Sequence, residues 1–269
     1  MEKARVQVLV ATMHQTDFSL LDRMNIQTDA IVVNQCDRNE IKIFEYKGRT
    51  IKWFSLNERG VGLSRNTALM RADGDILLFA DDDVVYADNY EDTVINVFKE
   101  NPKKGLIIFN LESLNEERPE YVVKKDYKLH WYNCLRFGAF RIAVKRDTVI
   151  YKNITYSLLF GGGARYQAGE DNLFITDCLK RKIKGLACSK HIGTVRQEAS
   201  TWFNGYNDKY YFDRGALFAA MYPHMYRVML LLIGIRDSIK GTQMKFSDKY
   251  RLEASGAKEY KKTGNCNER

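Results

Sequence analysis

The chain has 269 residues, 45% of them hydrophobic, which is enough to bury a sizeable core and excludes disorder for most of its length. Its net charge of +8 suits a phosphorylated substrate, an anionic membrane or a nucleic acid, but the last 34 residues, from Arg236, hold nine basic and five acidic side chains. Half of the excess thus lies in the tail, which argues against one large basic face elsewhere and ranks nucleic-acid binding last.

In chain order, Val6 to Ala11 reads as a buried first strand, Thr12 to Thr16 as the loop at its carboxyl end, and Phe18 to Met24 as a short helix. Ala30 to Val33 is a second strand running into Asn34-Gln35-Cys36-Asp37. Ile41 to Tyr46 and Thr50 to Leu56 are β-rich and, separated by Lys47-Gly48-Arg49, suggest a hairpin or two short strands. Glu58 to Asn66 leads into a helix whose Leu63, Ala68, Leu69 and Ala72 face the sheet, and Asp73-Gly74-Asp75 ends it. Ile76 to Ala80 is a strand, Asn89 to Glu100 a helix capped by Asp88 or Asn89, and Gly105 to Asn110 another strand. This alternation is that of a doubly wound α/β sheet. Leu111 to His130 reads as irregular. Phe140 to Val144 is expected as a strand, Arg146 to Tyr151 as a helical turn, Phe160 to Gly163 as a loop, and Asp171 to Lys182 as a helix. Ile183 to Cys188 and Ile192 to Val195 are short strand candidates, and the chain turns helical from Asp213.

The chain is organised around Ile76-Leu77-Leu78-Phe79-Ala80-Asp81-Asp82-Asp83. A short apolar run between helical patterns suits a strand buried on both faces, and its carboxyl end is where open α/β sheets bind ligands. Adjacent carboxylates repel one another, by up to about 4 kcal/mol for a close pair at an effective dielectric of 20. The cluster therefore asks for a cation, Mg²⁺ or Mn²⁺ by the hardness of its oxygens, with a solvated acidic turn as the plainer alternative. The loops Thr12 to Gln15, Asn34 to Asp37 and Arg59 to Asn66 converge on the same sheet edge.

From about residue 4 to 215 the order of these parts resembles the family 2 glycosyltransferases of GT-A fold. The resemblance rests on Val32-Val33-Asn34-Gln35, Gly62-Leu63-Ser64-Arg65-Asn66, Asp81-Asp82-Asp83 and, about 90 residues later, Gly169-Glu170-Asp171. It implies a Rossmann-like, mostly parallel sheet flanked by helices over residues 1–215, with a nucleotide-sugar-binding half to residue 110, an acceptor-binding half after it, and a helical, basic extension over 216–269. It further implies metal-dependent, inverting transfer from a nucleotide sugar, a UDP-sugar above all, to a glycan or lipid-linked saccharide in surface-polysaccharide synthesis. Asp81, Asp82 and Asp83 match the donor-binding signature, with Asp83 and Asp81 on the metal. Thr12 and Met13 match the loop against the nucleobase. Asn34 and Gln35 stand where the family often has two aspartates, with Asp37 nearby as a substitute. Arg59 and Arg65 are candidate phosphate or base contacts, or simply part of a solvated helix face. Asp171 aligns as the base, with Glu170 in reserve; ordinary helix capping is the alternative. His191 is a further candidate metal ligand, displaced from the family's place before Glu198-Ala199-Ser200.

Gly161 to Gly163 suit either close approach to an acceptor or a flexible turn, and Trp202, Tyr206 and Tyr211 either sugar stacking or core. Ala216 to Ile235 combines apolar bulk with flanking Arg214, Arg227, Arg236 and Lys240, which fits an anionic membrane surface, a core helix or a dimer contact equally. Five scattered cysteines without C-x-x-C spacing, no signal-peptide pattern and no apolar run of roughly 18 residues point to a cytoplasmic protein, peripheral on the inner membrane face at most. A sugar nucleotidyltransferase is the rival enzyme class. It wants a Gly-rich, basic loop after the first strand, and Thr12-Met13-His14-Gln15 is not one. A non-catalytic nucleotide-sugar binder is the second rival.

Overall fold

The computed structural model describes residues 3–197, 205–239 and 244–267. Trp202, the Glu198-Ala199-Ser200 stretch and Lys240 lie outside them. The elements are β1 (Val6–Met13), α1 (Leu20–Arg23), β2 (Asp29–Gln35), β3 (Glu40–Tyr46), β4 (Arg49–Leu56), α2 (Val61–Arg71), β5 (Ile76–Asp81), β6 (Val84–Tyr86) and α3 (Tyr90–Glu100). There follow β7 (Leu106–Ser113), β8 (Tyr127–Lys128), a 3-10 turn at Ala139–Arg141, β9 (Ile142–Lys145), α4 (Arg146–Tyr151), α5 (Glu170–Lys180) and β10 (Gly185–Val195). The helices α6 (Asp208–Met221), α7 (Tyr226–Ile239) and α8 (Phe246–Asn267) close the chain.

The strands form one mixed sheet in the order β3-β4-β2-β1-β5-β9-β7-β10-β6, with β8 pairing β10. Its centre is parallel where β1 runs between β2 and β5. Short β9 lies antiparallel between β5 and β7. The apolar run of β5 is needed because both its faces are covered. Ile76, Leu78 and Ala80 enter the core under α1 and α3, while Leu77 and Phe79 enter the one under α2 and α5. The strand then delivers Asp81 to its carboxyl edge, next to Ala11 of β1.

Most expected elements form. The hairpin turns at Lys47 and Gly48, both at positive φ, which matches the twist of the flanking strands. The α3 residues Val94, Ile95, Val97 and Phe98 are buried as their spacing predicts. Asn89 occupies the cap position of α3 without a side-chain cap bond, and Asp88 instead accepts from Asn25 and Gln27. Four differences have physical reasons. Strands β1 and β2 run on through Thr12-Met13 and Asn34-Gln35, because parallel pairing continues to the Met13–Gln35 register. Val84 to Tyr86, too short to register as a period, pairs antiparallel with the end of β10. The two strands expected at 183–188 and 192–195 are one strand with an irregular register between Ala187 and Gly193. Helix α6 begins at Asp208, where Asn207 accepts the Tyr210 N–H and caps it.

A third core joins Phe160, Tyr166 and Leu173 to α6, α7 and α8. Helices α6 and α8 touch backbone to backbone at Gly215 and Gly256, where a Cβ would fall 1.9 Å from the carbonyl oxygens of Glu253 and Phe212. Arg214, its side chain 10% exposed, ties the three helices by donating to Asp237 of α7 at 2.6 Å and pairing with Glu253 of α8. Tyr211 is core, whereas Tyr206 is exposed. Among the described residues no helix is long and apolar enough to cross a membrane, and the four described cysteines are free thiols.

Candidate active site

Three carboxylates from distant parts of the chain meet on one cation. Arg65, in the second turn of α2 and only 3% exposed, donates through one terminal nitrogen to Asp81 at 2.7 Å. Through the other it donates to Glu170 at 2.9 Å and Asp171 at 3.0 Å. The planar fork can serve several oxygens at once, which an ammonium on a flexible stem cannot do as well. Its guanidinium also lies 5.2 Å from the ring centre of Tyr156. The expected phosphate or base contact is therefore not the task this geometry gives Arg65, since its charge is already committed to the protein's own acids.

Burial works against the Arg65 charge, but Asp81, Asp171 and Glu170 outweigh it and hold the guanidinium protonated well above its ordinary value. Burial, and then the neighbouring Glu170, push the Asp171 carboxyl well above the usual range, with Arg65 pulling the other way. One cation among three acids leaves an excess of negative charge, so a proton taken up there is held firmly. Asp171 is the more accessible of the α5 pair, with 21% of its side chain exposed against 12% for Glu170. Glu170 is clamped by Gly161, where a Cβ would fall 2.8 Å from its carboxyl carbon and φ is +105°. At Gly163, with φ +81°, a Cβ would fall 3.2 Å from the Gly60 backbone. These glycines let one loop of the protein close on another.

At the end of β5, Thr12 donates to Asp82 at 2.6 Å. Asp83 receives the Gln197 N–H on Oδ2 at 3.3 Å and lends its carbonyl to Arg196, so the end of β10 folds over the acids. Its Oδ1 is buried without a hydrogen-bond partner. Desolvation, then Asp81 and Asp82, raise its pKa to about 6. A buried carboxylate oxygen with no donor, beside two more carboxylates, is a fitting ligand for a hard cation. Two such groups plus substrate phosphates are the usual Mg²⁺ set. No group of three or more His, Cys, Asp and Glu among the described residues is arranged to hold a metal without help. His191 is exposed in the irregular part of β10, opposite Asn110. It stands five residues before Arg196, on the order of 15 Å along an extended strand from the acids, and is not brought to them.

The neighbouring loops are held by the polar strand ends. Asn34, wholly buried, accepts the Gln15 N–H and donates to the Gln15 carbonyl, both at 2.9 Å. The side chain of Gln35 accepts the Gly60 N–H at 2.7 Å. Both amides thus shape loops rather than facing solvent. Met13 is half-buried beside them. Asp37 and Arg59 pair with each other at 2.7 Å on the exposed rim. The sequence offered no signal for the Tyr156 ring under Arg65, nor for Gln197, whose parts are set by folding alone.

The profile described as Glycosyl transferase family 2 matches residues 12–156, more than half of the chain, from the end of β1 past β9. No curated protein matches in sequence. Among solved structures the chain is similar to S. aureus TarS 1-349 in complex with UDP-GlcNAc, at 14% identity and a TM-score of 0.59, covering 95% of this chain and 71% of that one. It is similar to TarS 1-349 in complex with UDP at 14% identity and a TM-score of 0.56, covering 98% and 73%. Against full TarS the identity is 14% and the TM-score 0.55, with 95% of this chain covering 42% of that one. At such identities the likeness speaks for the fold, which is of GT-A type, while the profile speaks for the family: the chain belongs to glycosyl transferase family 2 and is a glycosyltransferase.

Proposed function

We propose that the chain transfers a sugar, with inversion, from a UDP-sugar to a hydroxyl of a glycan or lipid-linked saccharide, working at a membrane surface in polysaccharide assembly. The observation that carries the reading is the Arg65 fork, which holds Asp81 of the donor strand and Asp171 side by side. TarS, of similar fold, is solved with UDP-GlcNAc and with UDP, which supports a nucleotide at the same sheet edge.

In this reading Asp171 takes the proton of the acceptor hydroxyl as that oxygen bonds to the anomeric carbon. The bond from that carbon to the diphosphate oxygen breaks on the opposite face, and the nucleoside diphosphate leaves with its electron pair. The raised basicity of Asp171 suits a group that must win a proton from a hydroxyl, and Arg65 keeps the ionised form accessible before reaction. Glu170 balances Arg65 and fixes the first turn of α5. Asp83 and Asp81 would hold Mg²⁺ or Mn²⁺, which supplies Lewis-acid neutralisation of the diphosphate charge. Thr12 keeps Asp82 turned toward β1, and the Asn34 and Gln35 bonds fix the loops that flank the nucleotide.

The test is thermal unfolding with a panel of nucleotides and nucleotide sugars, each with Mn²⁺ or a chelator, followed by transfer assays with the sugar nucleotide that binds. UDP with Mn²⁺ should raise the melting temperature of the parent and of Asp171→Asn but not of Asp83→Asn. Asp171→Asn should lose transfer by about 10²–10⁴-fold. No metal-dependent shift with any nucleotide, or full transfer by Asp171→Asn, would overturn the proposal.

A further inference from the structure

Helix α7 is apolar on both sides. Its inner side packs Leu230 against α6 and α8 and turns Asp237, the one acid in the helix, inward to Arg214. Its outer side exposes Val228, Leu231, Leu232 and Ile235, with Met225 just before the helix, each 46–57% accessible. At 3.6 residues per turn these five fall within an arc of roughly 120°. Exposed Arg227 and Arg236 stand at the opposite edges of that arc. A soluble surface would place polar groups there. Apolar side chains between two long basic stems instead match a helix lying in a bilayer interface, its cations reaching up to the headgroups.

A second feature continues the same face. Met225 also lines a cavity of about 550 Å³ whose mouth carries Lys128, Lys180, Lys182 and Lys184, all exposed. Between the lysines the lining is apolar, with buried Leu129 and Ile183 and exposed Trp131. Asp177 pairs with Lys180 at a long 3.8 Å. Burial and the nearby Lys128 and Lys184 lower the pKa of Lys104 beside the cavity, as an excess of local positive charge would.

We propose that the outer face of α7 and the lysine-rimmed cavity beside Met225 form one docking surface for an anionic phospholipid bilayer. Charge decides against a second copy of the chain as occupant. A two-fold contact through α7 would bring the flanking arginines of one copy against those of the other. The helix also runs from the cavity to the amino end of α5, since Ile233 and Arg236 line a second cavity with Gly169 and Asn172. Docking through α7 therefore holds Asp171 near the lipid headgroups. This deepens the reading of a lipid-linked acceptor and rests on it for its purpose, although binding itself is measured without turnover.

The experiment is co-sedimentation of the full chain with vesicles of phosphatidylcholine alone and of phosphatidylcholine mixed with phosphatidylglycerol. Retention should need phosphatidylglycerol, fall with added salt, and weaken about fivefold for each of Arg227→Ser and Lys182→Ser. The double variant Leu231→Ser with Leu232→Ser should lose retention while keeping the parent's melting temperature and its UDP-induced shift. Absence of retention on anionic vesicles, equal retention of the double variant, or a dimer in light scattering that the double variant dissociates would overturn the proposal. A lost nucleotide shift with intact vesicle binding would instead remove the donor-site reading and leave this surface standing.

Discussion

Replacing Asp83 by Asn should stabilise the metal-free protein while ending its metal-dependent hold on nucleotide. The Asp83 pKa of about 6 against an ordinary 3.8 means that folding must force an unfavourable charge into the acidic cluster. A difference of about two units corresponds to about 3 kcal/mol. The sign follows from the raised folded-state value: the stability that goes with the protonated carboxyl is fully present below about pH 4, is lost as pH rises through 6, and is absent above it. Asparagine carries no charge to lose, can still accept the Gln197 N–H, and offers an N–H₂ where the unpaired Oδ1 faces its acidic neighbours. Urea unfolding in chelator at a series of pH values should therefore show the variant and parent alike near pH 4, and the variant more stable by up to about 3 kcal/mol at pH 8. For a chain of this size that is a rise of roughly 6–12 °C in melting temperature. Mn²⁺ with UDP at a hundredfold excess over its dissociation constant adds about 2.7 kcal/mol to the parent alone and closes the gap. A variant no more stable than the parent at pH 8 would refute the argument that Asp83 is strained by its neighbours.

Arg65→Met removes the cation that joins three clustered acids and should cost about 3–5 kcal/mol in urea unfolding. Because the stranded carboxylates repel one another most when all are ionised, the loss should be larger at pH 8 than at pH 5; an equal loss at both would mean that Arg65 stabilises by packing on Tyr156 more than by its charge. Gly161→Ala forces a Cβ to within 2.8 Å of the Glu170 carboxyl and of Val61 at φ +105°. It should destabilise by about 1–3 kcal/mol and slow transfer, whereas a parent-like melting temperature would show that the loop can yield.

What the sequence made legible was local. The five apolar residues of β5 ending in acids, and Gly169-Glu170-Asp171 at a helix start, are found where their periodicity and the resemblance put them. Lys47-Gly48 identified the hairpin because its turn needs positive φ at both residues. Arg65 was not readable in the same way. Its position on the helix left a solvated face and a phosphate contact equally open, because its partners Glu170 and Asp171 lie 105 and 106 residues away. Tyr211 was ambiguous for the same reason, since an aromatic side chain fills a core and stacks on a ligand with the same ring. The polar strand ends Asn34 and Gln35 looked like ligand groups, and only the loops that pack on them reveal that backbone amides occupy their oxygens.

The position of β9 carries a consequence for how the protein is made. During synthesis β5 emerges 66 residues ahead of β9, its neighbour in the finished sheet, and at ordinary ribosome speeds the interval is on the order of several seconds. For that time the acid-bearing strand is an open, sticky border, and so is the facing border of β7 once it appears. A nascent chain stalled or cut before Ile142 would present both borders to its neighbours on the polysome. The acid-bearing strand thus stays open on this side until β9 is made, and aggregation of truncated products should begin there.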